Sequence, residues 1–433
     1  MSQQSRMTAR RLAGAVSVLA VALATFVANP RTAQAATTSE GLLCDTNVQQ
    51  TFSLTAGSGY VSTPDGNSIY MWSYGSSARG FQLPGPTLCV TAGQSVTVIL
   101  HNTLPEATSI VFPGQKNVKA NGNPAQPQLD SGGSLTSLVQ GAAARNGSVT
   151  YSFTPGTPGT YVYESGTDVD KQVQMGLYGV IVVRPAGHPG QVNDRPDSAF
   201  SPQHEYVFLL SEVDPDLHLA VERSEPIDWA AFHPRYYMIN GRSMPDTLAP
   251  NNASWLPNQP YGAFVHIRQY DATSNPLPAV IRYVNAGTVN YPFHPHGSDE
   301  RVVNKDGHPL QGPTGQDLSF QKFDLDVQPG QTLDALMDWR DVEQWNAVTN
   351  PIPTVIPAIT DQLLVGPDTW FSESPYLGTK NALPPTITSN NVCGEYYHVA
   401  HSHALQQATN YGATFGGMMT VFRIDPLLGC PGN

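Results

Sequence analysis

The chain has 433 residues, of which 13% are charged and 40% hydrophobic, with 38 glycines, 37 prolines and a formal charge of −12 at neutral pH. That hydrophobic share can build cores and excludes a mainly disordered chain, and the acidic balance argues against nucleic acid as a partner. The length allows two or three domains, and scarce charge with abundant Gly and Pro points to short strands and turns rather than helices.

Residues 1–35 read as an export signal. Arg6, Arg10 and Arg11 precede an apolar stretch from Leu12 to Val27, and Ala33-Gln34-Ala35 forms a small-residue cleavage site. The apolar stretch is short for a bilayer crossing, which takes about 20 residues. No later segment is apolar enough to span, so the mature chain is expected to be secreted and free of the membrane. Removing the signal's four arginines leaves 18 basic against 34 acidic residues, a formal charge of −16.

An N-terminal domain is expected over residues 42–185. Its strand-like runs are Gln49–Thr55, Ser68–Ser73, Ser95–His101, Ser148–Thr154, Gly159–Glu164 and Gly176–Val183. Gly114–Asn146, rich in Gly, Ser and Pro, reads as a long surface loop. A polar, turn-rich boundary, Pro185–Ser201, leads into a C-terminal domain over residues 200–426. Its runs are Glu205–Leu210, Ala279–Val284, Phe323–Val327, Thr332–Trp339, Tyr396–His403 and Met418–Ile424, interrupted by a Pro-rich insertion at 345–391. Regularly spaced short strands of this kind indicate an all-β fold of sandwiches or barrels.

Four cysteines in an exported chain favour disulfides, with three possible connectivities. Cys44–Cys89 and Cys393–Cys430 are the expected pairs, because each falls within one proposed domain.

Several segments carry a family resemblance. They are PGPTLCVTAGQSVTVILHNTLPEATSI at Pro84–Ile110, GTYVYESG at Gly159–Gly166 with GLYGVIVV at Gly176–Val183, NYPFHPHG at Asn290–Gly297, and HSHALQQ with GGMMTVFRI between His401 and Ile424. In this order they resemble the multicopper oxidases of the laccase kind. The resemblance implies two cupredoxin-like (plastocyanin-like) Greek-key domains. It also implies four motifs that each give a His-x-His pair to a three-copper cluster, the fourth adding a Cys to a separate blue copper.

This chain departs from that pattern in a grouped way. The first pair is replaced by Val111 and Pro113, and the second by Glu164 and Gly166. The third survives as His294 and His296, and the fourth as His401 and His403. At the blue-copper positions stand Tyr291, Ser402, Gln407 and Gly412; Met418 and Met419 follow only after extra residues. Side chains two apart on a strand share a face, and neutral imidazole suits copper, with zinc or iron as other occupants. The expected site is therefore a four-His metal centre, with Glu164 as a candidate carboxylate ligand and Tyr291 as a packing residue. Laccase-type four-electron reduction of oxygen to water is not expected from so few ligands.

Other histidines carry less. His398 has odd spacing from His401 and is read as structural, His101 as part of a turn, and Asp299 and Glu300 as a solvated strand face. Tyr236–Asp246 reads as a scaffold strand and turn. No Gly-rich phosphate loop and no Gly-x-Ser-x-Gly elbow occurs. The favoured reading is a secreted metal-dependent oxidoreductase acting on a small molecule, as a monomer or a homo-oligomer. The alternative is a non-catalytic metal-binding or structural extracellular protein.

Overall fold

Alternation of apolar and polar residues decides the first strands. In the first half of Thr51–Ser62, and in Val96–Asn102 and Gly147–Phe153, every second side chain turns inward, so Phe52, Leu54, Val98, Leu100, Val149 and Tyr151 form one apolar face. The computed structural model describes residues 40–341, 364–365, 369–370 and 395–430. The signal segment 1–35, nearly all of the insertion 345–391, and Cys393 lie outside the described residues. No helix among the described residues is long and apolar enough to cross a membrane.

The described residues are almost entirely β-structure, arranged as sandwiches. Residues 51–153 supply a six-stranded sheet, and Leu88–Thr91, Gly159–Glu164 and Tyr178–Arg184 a second of three strands. Their shared core joins Phe52, Leu54 and Val98 to Leu88, Ile181 and Val183. Beyond Arg184 the pattern repeats. A nine-stranded sheet including Glu205–Val213, Ala279–Asn285 and Thr332–Met337 packs on a five-stranded sheet including Tyr291–Pro295, Tyr396–Ser402 and Met419–Asp425. Phe208 meets Tyr283 and Phe293 edge to face in that core, and Phe422 at a tilt.

Both halves use the same two parallel pairings. Thr51–Ala56 runs parallel to Thr97–Asn102, as Glu205–Leu210 does to Val280–Asn285. Leu88–Thr91 runs parallel to Ile181–Arg184, as Val265–Arg268 does to Phe422–Asp425.

Two strands, Tyr178–Arg184 and Glu205–Val213, are buried on both faces almost throughout. Their unbroken apolar runs follow from this: a third core cluster packs Val162, Val180 and Val182 against Val207, Leu209 and Val284. A buried ion network crosses the same contact. Arg282 is 1% exposed and pairs with Glu205 at 2.7 Å and Asp334 at 2.9 Å. Thr160 of the first half donates its amide to Asp334 and accepts at its carbonyl from Thr332.

Cys44 and Cys89 are disulfide-bonded, as expected. Three expectations need correction. His101 lies within the strand Val96–Asn102 rather than in a turn, opposite Ser148, with its side chain on the solvated side. Glu300 is fully buried, not solvated, and accepts from the Tyr283 hydroxyl at 3.0 Å; period-2 alternation puts it on the inward face with Val302. The Gly114–Asn146 loop is partly woven into the fold, since Lys119–Ala120 pairs with Ser152–Tyr151. The helix Pro215–Glu222 was also not anticipated. Asp214 caps it by accepting from the amides of Asp216 and Leu217, and proline occupies its first turn.

Candidate metal centre

The strands Tyr291–Pro295 and Tyr396–Ser402 pair antiparallel with His294 directly opposite His401. The ladder continues at both ends. The His296 amide donates to the Val399 carbonyl at 2.9 Å, and the His403 amide to the Pro292 carbonyl at 2.7 Å. Period-2 alternation then puts all four histidines on one face. Phe293 and Ser402 turn to the buried face, each 0% exposed.

The four rings gather accordingly. Ring centres lie 4.9 Å apart for His294 and His296, 5.1 Å for His294 and His403, 5.2 Å for His296 and His401, and 5.8 Å for His294 and His401. His294 Nδ1 lies 2.7 Å from the Phe323 carbonyl oxygen, and His401 Nδ1 lies 2.9 Å from the Ser402 carbonyl oxygen. A carbonyl only accepts, so both rings carry the proton on Nδ1 and keep the Nε2 lone pair free for another partner. Burial, followed by the three neighbouring imidazoles, lowers the His401 pKa and favours its neutral form.

His296 Nε2 and His401 Nε2 are 3.2 Å apart. Two metal–nitrogen bonds of about 2.0–2.1 Å at a tetrahedral angle hold nitrogens about 3.3 Å apart, so this pair fits a shared ion. Among the described residues, however, no three His, Cys, Asp or Glu side chains are already set around a common point. The rings are gathered and two of them hydrogen-bonded; ligation of one ion by more than two requires side-chain rotation. The cluster opens on a shallow cleft lined by His294, His296, Ser298, Asp299 and the exposed ring of Phe323. Phe323 was not singled out in the sequence, because it acts through its backbone carbonyl.

The contacts described for Glu164 are those of its backbone. Its backbone pairs with Val111 and with Tyr178, and its carboxyl pKa is raised by burial. The Val111–Glu164 bridge shows that the first two motif frames still meet. The space beside them is filled by a closed polar network: Thr167 donates to Ser109, Ser109 contacts Ser137, and Thr108 and Ser165 both donate to Gln172.

The blue-copper positions are equally occupied. Ser402 donates its hydroxyl to the Gln407 side-chain oxygen, and Gln407 donates to the Asn290 carbonyl at 3.0 Å. Tyr291 is fully buried and donates to Glu212, which also accepts from the Thr288 amide and hydroxyl. Tyr291 is thus a core residue facing away from the imidazoles, as expected of a packing residue. Met418 is not carried away by the extra residues before it, since its amide donates to the Gln407 carbonyl and its carbonyl accepts from Ser402. His398 is buried against Tyr396 and Trp339, on the other side of its strand from His401. Gly297 has φ +69° and lies so close to the His398 ring that a Cβ there would meet it at 2.4 Å.

Facing β-sheets with this strand pairing and a four-histidine face define a cupredoxin-type β-protein. Residues 79–188 match the family model of the multicopper oxidases. Solved structures agree in fold. A multicopper oxidase designated mgLAC aligns with TM-score 0.57 and 17% identity over 87% of this chain and 86% of its own. The blue copper oxidase of Nitrosomonas europaea aligns with TM-score 0.57 and 16% identity over 87% and 85%. The copper nitrite reductase of the same organism gives 0.50 and 17% over 86% and 93%. No curated protein sequence matches. The chain thus resembles the multicopper oxidases over residues 79–188 and shares their cupredoxin-type fold over most of its length.

Proposed function

We propose that the chain is an exported oxidoreductase on a multicopper-oxidase scaffold, with copper held by His294, His296, His401 and His403 and with no blue copper. The direct opposition of His294 and His401, with the four rings gathered on one strand face, carries this reading. Bound copper supplies one-electron redox chemistry to a small molecule that reaches it directly. The chain's part is to present neutral imidazoles: the Phe323 and Ser402 carbonyls hold the Nδ1 protons of His294 and His401. The open cleft beside Ser298 and Asp299 admits a small substrate.

Absence of a blue centre is supported by the Ser402–Gln407 and Tyr291–Glu212 hydrogen bonds, which join side chains standing where the resemblance would place a thiolate and imidazoles. Glu164, whose carboxyl pKa is raised by burial, stays a candidate carboxylate ligand beside the four histidines. Signal-like residues 1–35 and the Cys44–Cys89 disulfide support export to an oxidising compartment.

A second reading, a non-catalytic metal-binding or structural extracellular protein, is favoured by the lack of any three ligands already posed around one point among the described residues. Copper analysis of the purified protein, followed by oxygen-uptake assays with phenolic and inorganic reductants, separates the two. Bound copper with substrate-dependent turnover supports the first; bound copper without turnover supports the second.

A further inference from the structure

A cleft of about 590 Å³ lies between the strand Ser68–Ser76 and the helix Pro215–Glu222, away from the histidines. Its size suits a small ligand. Its lining combines aromatic rings with four carboxylates, Glu106, Asp168, Glu222 and Glu225, against one cation, Lys171, a balance of −3. On one side the charges are already matched. The Lys171 ammonium sits 2.6 Å from both Glu106 and Asp168 and 6.0 Å over the Trp72 ring. This half shows what the cleft favours: an ammonium held by carboxylates over an aromatic face.

The other side repeats those parts without the cation. Glu222 and Glu225 form no ion pair among the described residues, and Glu222 accepts only from the Tyr60 hydroxyl. Beside them stand Tyr70 and the exposed ring of Trp229. Trp229 is fixed in a short 3-10 turn whose start is capped by Asp228, and it packs against Phe232 at 6.4 Å. We propose that this half of the cleft binds a small organic cation, an amine or quaternary ammonium with an apolar body, between the Trp229 face and the Glu222 and Glu225 carboxylates. A net-negative chain adds long-range attraction for such a ligand.

The test uses the full mature chain and two matched probes, choline and its neutral isostere 3,3-dimethylbutan-1-ol, by titration calorimetry at low ionic strength. Choline is expected to bind at least tenfold more tightly than the alcohol. Glu225→Gln and Trp229→Ala, both exposed and so harmless to the core, are each expected to weaken choline at least threefold. His401→Ala is expected to leave choline binding unchanged, which separates this cleft from the histidine site. Equal binding of both probes, no binding of choline, or unchanged affinity in both cleft variants overturns the proposal.

Discussion

Ser402 donates its hydroxyl to the side-chain oxygen of Gln407, at the two positions where the multicopper oxidases place a thiolate and an imidazole. Both residues are buried, and Gln407 passes its amide on to the Asn290 carbonyl. The pair is neutral and satisfied, so the residues have become part of the scaffold. Ser402→Ala leaves the Gln407 oxygen without its donor in a dry setting, at a cost of about 1–3 kcal/mol in unfolding free energy. Chemical denaturation measures it. Ser402→Cys alone is expected to give no intense copper–thiolate absorption on copper addition, because Gln407 and Tyr291 supply no imidazole; appearance of that band would show that the substitutions do not disable the site.

Arg282 ties three strands from both halves of the fold through Glu205, Asp334 and Thr160. Arg282→Ala takes the cation from buried Asp334 and leaves Glu205 with Arg184 alone, and is expected to destabilise by about 3–5 kcal/mol. Replacing only Thr160 by Val removes a neutral donor, so a smaller loss is expected. Thermal melts of both variants give the order; equal losses would mean that the carboxylates are not buried as described.

Glu300 titrates unusually. Burial lifts its pKa to about 8, and the Tyr283 hydrogen bond lowers it only in part. The folded chain therefore keeps a proton that the unfolded chain releases near the ordinary carboxylate value. Folding binds more protons across that interval, so this group makes stability fall as pH rises from about 4.5 to 8, and the loss is complete above. Glu300→Gln is expected to flatten that slope and to raise stability at pH 9 relative to the parent. An unchanged slope in pH-dependent melts would place the titration elsewhere.

Protons compete with metal at the histidine face. His401 Nε2 accepts a hydrogen bond from His296 in the arrangement described, and metal between them requires His296 to give up that proton. Metal retention is expected to fall on acidification, and burial, which lowers the His401 pKa, keeps that ring neutral to lower pH than an exposed imidazole. Dialysis at stepped pH followed by elemental analysis reads this directly.

Much of this was legible in the residues. The runs read at Gln49–Thr55 and Ser148–Thr154 fall on the strands Thr51–Ser62 and Gly147–Phe153, the first covering only the start of its strand, and the two His-x-His pairs named the face that the strand pairing then assembled. What was hidden depended on tertiary contact. Glu300 follows a His motif and reads as part of a solvated strand face, yet it shares the inward face of its strand with Val302. Phe323 contributes a carbonyl, which no side-chain pattern reveals. The Pro215–Glu222 helix had a readable signal, Asp214 before Pro215, overlooked among strands.

The central claim is one four-histidine metal site without a blue copper. The most direct measurement is elemental analysis with optical and paramagnetic resonance spectra on the copper-loaded mature protein, beside His294→Ala and the double variant His401→Ala/His403→Ala. The account predicts one or two coppers per chain, no intense thiolate absorption, and loss of copper in both variants with the fold intact by circular dichroism. Unchanged copper content in the variants, a metal-free parent that takes up none, or a blue copper spectrum would contradict it.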